Sequence, residues 1–593
     1  QTDFDLSYGL TGQISLQPQH IHHFATSPHD VTTATMTRAA DAVSNRLLKL
    51  GELIQTNITQ LIESRRAVAA TGNGTESSDL PPWSVFNAQR ALQAATGSLT
   101  ELISQPENRL LEVSSQYFEA RALHIAADAR IPDLLAETAP GGVPVVLLSA
   151  KVGIEARKLS RLLRCLCSIH IFTEVEPDVF ANNAVSAWLV DNEPLRAYIL
   201  LFGLDLYTAS DHLPRALHDS VKGSSYAVDQ TAWQDALGVS KSRWDWLEEK
   251  TSASDLREGC NAAVQGTTDT DTAARTPSAP GAGGQGRDAA AASPKTPYPG
   301  VFGTELSRVV NSGVGDGQPI SRPEHAIFSL AMVGGGRVFG RAHLHDFPWA
   351  SLGAATVVDV GGGSPLLFET LPFNRMDSVP LVITLQFSAL DVDLYFGRIE
   401  AVTDVTGITG GFCLQLSHLY PDLKFVLQDR GPAINKAHNE VWPRENPAAL
   451  AAGRIQFVVH DFFEKNPVPE ADVYWLRYVL HDWSDDYCVR ILSGIRQSMG
   501  PRSRILICDQ VMNTTHGCSD LPPAPEPLLP NWGYYTRYSH QRDLAMMAII
   551  NGIERKPDEF RELVERAGLR LRKIWDCRSQ VGLVEVVLPN SEL

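Results

Sequence analysis

Thr356-Val357-Val358-Asp359-Val360-Gly361-Gly362-Gly363-Ser364 is the stretch on which the fold turns. Its first half is β-branched and short, which predicts a buried strand. Its second half is glycine, and glycines at a strand's carboxyl end let the backbone approach a ligand closely. Taken alone, such a turn is weak evidence, because plain turns share it. The runs that follow strengthen it: 424–429, 455–459, 471–477 and 504–509 are apolar and β-branched. They predict parallel strands buried on both faces, which require crossover helices. One helix is expected after Ser484, a good N-cap, with Val489, Leu492 and Ile495 on one side. Another is expected from Pro557 to Gly568, with Phe560, Leu563, Val564 and Ala567 inward. Two further strands, 569–575 and 581–588, complete a doubly wound α/β domain.

The second strand ends in Asp429, and an acidic side chain there can accept hydrogen bonds from ribose hydroxyls. Nicotinamide enzymes share this arrangement, so the pair alone does not choose a cofactor. Asp359, two positions before Gly361, favours a methyl donor whose methionine end carries an ammonium group. The spacing is unusual: 70 positions separate Asp359 from Asp429, where about 20 from glycine motif to acidic residue is normal. Residues 365–409 account for the excess, because Gly410-Gly411 resumes the glycine loop after them. The segment shows no helical or alternating period. We read it as a retained intron, with a genuine surface excursion as the alternative.

Upstream, residues 1–83 form a weakly patterned extension with a helix expected over 37–66. Residues 84–137 predict two or three helices, with Phe118, Ala122, Ile125, Ala126 and Ala129 as an apolar face. In 146–190, two helices are followed by a small hairpin, a winged-helix pattern. Arg157, Lys158, Arg161 and Arg164 on the second helix would suit DNA, but the surroundings are acidic; a structural or dimerisation module is the other reading. The expected division is 84–255 for this helical domain, 256–300 for a disordered linker, 301–350 for a connecting helical segment and 351–593 for the α/β domain. The linker is almost free of large apolar side chains and cannot offset its ordering entropy.

Composition narrows the function classes. The 593 residues are 44% hydrophobic and 20% charged, as in ordinary globular proteins, and the formal net charge is −17. That balance argues against a general nucleic-acid or membrane-surface binder. The eight cysteines form no C-x-x-C pair and do not cluster with histidine, so neither a metal site nor a disulfide framework is expected. Scattered thiols fit a reducing cytoplasm. Gln1-Thr2-Asp3-Phe4-Asp5 has neither a basic start nor an apolar run, so no signal peptide is expected.

His481 follows the strand 471–477, where ligands of such sheets bind. A phenol has a pKa of about 10, so a neutral imidazole is a suitable base near pH 7. The alternative is a histidine that caps the next helix. Read in order, several motifs resemble the plant-caffeate-type O-methyltransferases, and most closely their fungal relatives. They are Val357–Ser364 with Gly410–Leu416, Pro421–Asp429, His460-Asp461-Phe462-Phe463, Tyr478–Asp485 and Asn551-Gly552-Ile553-Glu554-Arg555. The resemblance covers roughly residues 84–255 and 300–593, apart from the two inserts.

The resemblance implies a Rossmann-like class I methyltransferase sheet behind a winged-helix-like dimerisation domain. It implies S-adenosylmethionine as cofactor, a small hydroxyl-bearing secondary metabolite as acceptor, and a homodimer whose N-terminal domain lends residues to the partner's pocket. His481 would be the base, flanked by Glu554 and Glu585. Asp359, Gly361 and Gly363 would belong to the cofactor loop, Asp429 would hold the ribose, Asp461 and Phe462 the adenine, and Arg477 the methionine carboxylate. Met546 and Met547 are candidates for the acceptor pocket or for the core. Two alternatives stay open: a catalytically impaired relative whose glycine loop is split by the insert, and an NAD-dependent Rossmann oxidoreductase.

Overall fold

The computed structural model describes residues 28–70, 80–137, 141–252, 254, 256, 317–361 and 411–593. Of the linker 256–300 only residue 256 is described; the segment 365–409 and Gly363 lie outside the described residues.

The chain opens with α1 (Pro28–Ala70), longer than the periodicity of 37–66 predicts, and α2 (Trp83–Ile103), which packs against it. Next come α3 (Pro106–Ser115) and α4 (Tyr117–Asp128). On α4, Ala122 and Ala126 are buried as expected. Phe118 and Ile125 are exposed instead, so the inward face is narrower than its pattern implied.

The winged-helix pattern is present. It comprises α5 (Val145–Val152), a left-handed Gly153, α6 (Ala156–Ser168) and a hairpin of β1 (Phe172–Glu176) with β2 (Val179–Asn182). Leu159, Leu163 and Leu166 of α6 fill its core. Arg164, expected on a recognition helix, is held by Glu174 at 2.8 Å and Asp178 at 3.0 Å. Helix α7 (Glu193–Gly203) then packs tightly against α8 (Pro323–Phe339). The glycines of α8 permit this: a Cβ on Gly334 would stand 2.3 Å from the carbonyl oxygen of Pro194.

The C-terminal domain is a seven-stranded sheet. Its strands are β3 (Thr356–Val360), β4 (Lys424–Asp429), β5 (Ile455–Val459), β6 (Val473–Arg477), β7 (Arg504–Asp509), β8 (Arg570–Trp575) and β9 (Gly582–Val587). Their spatial order is β8-β9-β7-β6-β3-β4-β5. From β7 through β5 neighbouring strands pair in parallel, and β9 runs antiparallel to both of its neighbours. The sheet is therefore mixed at the end where the last two strands return. Helix α9 (Gly411–Leu419) carries buried Phe412, Leu414 and Leu416 against one face. Helices α10 (Asp485–Arg496) and α12 (Pro557–Arg566) cover the other, through Ile491, Leu492, Phe560 and Leu563. Between them in sequence, α11 (Arg537–Ile550) carries Met546 and Met547. Ser484 does stand at the N-cap of α10, but its side chain makes no cap hydrogen bond.

Strand order reverses between β3 and β6. Chains leaving their carboxyl ends diverge there and open a crevice, which is where ligands of open α/β sheets bind.

Candidate active site

That crevice is a cavity of about 1090 Å³. A single ligand site usually occupies about 300–1,000 Å³, so there is room for two molecules. Asp359, Gly361, Asp429, Asp461, Phe462 and Arg477 all line it, as do His481 and Met546. Met547 is not among the lining residues. The sheet supplies most of the polar groups. Tyr198, Phe202 and Phe328, from α7 and α8, contribute an aromatic wall.

Asp359 is buried at the end of β3, and its Oδ2 has no hydrogen-bond partner. Burial pushes its carboxyl up to about 7, against the opposing pull of a Cys413 hydrogen bond and of Arg477. Gly361, one residue past the strand, has a φ of 77°, a conformation that only glycine adopts without cost. Asp429, the last residue of β4, accepts the backbone N–H of Arg430 at 2.6 Å. Asp461 accepts the N–H of Phe463 at 2.9 Å, so it caps a turn while it lines the cavity. Phe462 packs edge-on to Trp483 with centroids 6.2 Å apart. Arg477 Nε is buried without a partner.

His481 lies in a short helical turn after β6 and is 4% exposed. Its Nδ1 is 2.9 Å from Glu554 Oε1, and its Nε2 is 3.3 Å from Asp482 Oδ1. Backbone hydrogen bonds fix the pair. Ile553 N–H donates to the His481 carbonyl at 2.9 Å. Arg555, itself buried, donates to the carbonyls of Leu480 at 2.9 Å and Trp483 at 2.8 Å. The Asn551–Arg555 motif is thus a clamp on the histidine turn. Tyr478, three residues before the histidine, has a φ of 53°, strained for a bulky side chain. Its N–H donates to Asp509 Oδ1 at 3.0 Å.

Desolvation pulls the His481 pKa down, but Glu554 and Asp482 outweigh it and raise the group to about 9. The neutral imidazole expected near pH 7 therefore stands against two carboxylates that favour its protonated form. Glu585 needs a correction. It is fully buried in β9, but its carboxylate accepts from Arg572 at 2.8 Å, Trp575 at 3.0 Å and Arg504 at 3.1 Å, not from His481. The acidic groups that act on His481 besides Glu554 are Asp482 and Asp509. Asp509 ends β7; burial raises its carboxyl to about 6, with His481 pulling the other way. Its position at a strand's carboxyl end was the available signal, and the sequence reading passed over it.

Comparison with known proteins gives the family. An O-methyltransferase domain matches residues 376–570, and an O-methyltransferase dimerisation domain matches residues 111–192. The O-methyltransferase gedA of Aspergillus terreus is 48% identical, over 92% of this chain and 97% of that protein. The O-methyltransferase tpcA of Aspergillus fumigatus is also 48% identical, with the same coverage. The chain belongs to the S-adenosylmethionine-dependent O-methyltransferases. These relatives lend no support to an oxidoreductase or to an impaired enzyme. A solved structure, LepI in complex with SAM, matches with a TM-score of 0.52 and 18% identity, over 84% of this chain and 94% of that one. That likeness shows the fold of the O-methyltransferase and nothing finer.

The cavity suits this enzyme's cofactor. Asp359 Oδ2 is an orphaned buried acceptor, and Arg477 Nε is an orphaned buried donor. Leaving such groups unpaired costs about 1–3 kcal/mol each, which a ligand with an ammonium and a carboxylate recovers.

Proposed function

We propose that the enzyme methylates a hydroxyl of phenolic class on a small secondary metabolite, with His481 as general base. The single observation that carries this reading is the Glu554–His481 contact of 2.9 Å beside a cavity large enough for cofactor and acceptor together. Asp359 would hold the cofactor's ammonium, Arg477 its carboxylate and Asp429 its ribose hydroxyls. Asp461 and Phe462 would border its adenine, and Gly361, with its left-handed backbone, would let the loop approach it. When bound, S-adenosylmethionine supplies a methyl group on a sulfonium, whose positive charge lowers the proton affinity of a nearby imidazole. Glu554 orients the His481 ring and stabilises the imidazolium formed when it takes the acceptor's proton. The aromatic wall of Tyr198, Phe202 and Phe328 holds a flat ring against the reacting groups, and alignment contributes much of the rate. A screen of labelled methyl donor against phenolic acids, flavonoids and polyketide phenols tests the reading. Label should appear on at least one class; a protein that binds cofactor and labels none of them sinks it.

We also read the working enzyme as a cytoplasmic homodimer. Leu110, Leu111 and Phe118 are 73%, 69% and 58% exposed on α3 and α4, in or next to the segment that matches a dimerisation domain. An apolar patch of this kind is characteristic of an interface. Sedimentation of the wild type and of a Leu111→Asp variant checks it: the variant should shift toward monomer. No helix among the described residues is long and apolar enough to cross a membrane. Residues 365–409 remain, in this reading, a retained intron. Sequencing mature transcripts decides, and a majority that encodes the segment ends the idea.

A further inference from the structure

Helix α11 turns one face to the cavity: Arg542, Ala545, Met546 and Ile549 all line it. Their spacing of three and four residues is that of a single helical stripe. Three of the four are apolar, as expected of a wall for a flat acceptor. Arg542 is the exception, and a guanidinium in an apolar stripe needs a reason, because burying a charge is costly unless it is paired. Its side chain is 12% exposed. It stands 3.2 Å from Glu554 Oε1, the oxygen that also faces His481, and 4.4 Å from the centre of the Tyr478 ring. Glu554 is therefore shared between two cationic groups and does not belong to Arg542 alone. The other groups that bear on the guanidinium are Tyr478, Tyr198 and Tyr538. The last two are tied hydroxyl to hydroxyl at 2.6 Å. Burial keeps Tyr478 neutral, with its phenol pushed up to about 12. Asp482 and Asp509 lie on the His481 side, and Arg477 faces the same Tyr478 ring at 5.2 Å from its centre.

We propose that Arg542 is an acceptor-binding residue that receives the reacting oxygen as a phenolate, so that the enzyme selects acidic phenols. The proton of such a phenol leaves on binding, to His481 when that ring is neutral and to solvent otherwise. Arg542 then faces an oxyanion across the end of the apolar stripe, and the ring of the acceptor lies along Ala545, Met546 and Ile549. This rests on the O-methyltransferase reading above but adds to it a class of acceptor and a residue that recognises it.

The test uses the full chain saturated with S-adenosylhomocysteine and the probe 4-nitrophenol, whose phenolate is coloured and whose neutral form is not. Bound probe should ionise at least about one pH unit below free probe, a tenfold change in its acid constant. Arg542→Gln should return the midpoint to that of free probe or above. If Arg542→Gln does not bind S-adenosylhomocysteine, Arg542→Met, which continues the apolar stripe, carries the same expectation. A merely structural arginine would leave the midpoint alone. No phenolate band on binding, or the same midpoint in the variant, overturns the proposal. Failure of the broader reading looks different: wild-type protein would transfer no label to any phenol.

Discussion

Glu554 and Glu585 are the same residue type, both buried, in the same domain, and the family resemblance gives them the same task. They do different things. Glu554 sits in the loop between α11 and α12, 2.9 Å from an imidazole that lines the cavity. Glu585 sits inside β9, opposite Leu506 of β7, where Arg504, Arg572 and Trp575 consume its oxygens. A buried carboxylate is thus defined by what neutralises it. A partner that can change its protonation makes it a tuning group. Partners that stay charged make it a strut.

Substitutions can break or sharpen this contrast. The largest effect should come from His481→Ala, which should cut turnover by about 10²–10⁴. Affinity for S-adenosylhomocysteine, measured by calorimetry, should hardly change, because the imidazole acts on the acceptor; near wild-type turnover would falsify the base assignment. Glu585→Gln should act on stability alone. Leaving two guanidiniums without their carboxylate should cost about 3–5 kcal/mol, seen in chemical denaturation, while the pH profile of the remaining folded enzyme keeps its shape.

Glu554→Gln should also lower stability, because His481 and Arg542 lose their shared carboxylate, but unlike Glu585→Gln it should displace the pH profile. The sign follows from the direction of the shift. Glu554 raises the His481 pKa, and the base is competent only above that pKa. Removing the carboxylate therefore moves the acid limb of kcat/KM to lower pH and weakens the base on the plateau. A limb that stays put while Glu585→Gln moves it would exchange the two roles. Asp359→Asn should be smaller again, with about a tenfold loss of cofactor affinity and little change in turnover at saturation. Arg164→Ala, on α6, should leave the denaturation midpoint almost unchanged, since its ion pair with the wing is exposed.

Much of the catalytic domain was legible beforehand because buried parallel strands must be short, apolar and β-branched. β4, β5 and β7 fall on the predicted spans, and α12 buries the four residues its period places inward. Local pattern failed where tertiary packing intervened. The extent of α1 and the exposure of Phe118 depend on neighbours distant in sequence. The site divided in the same way. Glycine at a strand end, aspartate at the next strand end and histidine after β6 are positions along one chain, so a linear reading finds them. Arg542 carries no motif of its own, Asp509 only a strand-end position, and both come near His481 only because α11 and β7 converge there.

The interrupted glycine loop, the strand-by-strand plan and the family were determined by the sequence itself. They depend on residue type, order and spacing, which folding does not alter. The identity of the carboxylates around His481, its upward pKa shift and the charged member of the acceptor wall were decided only by the tertiary structure. Each of these is a property of distance and burial between residues far apart in the chain, and the strength of an electrostatic interaction is set by both.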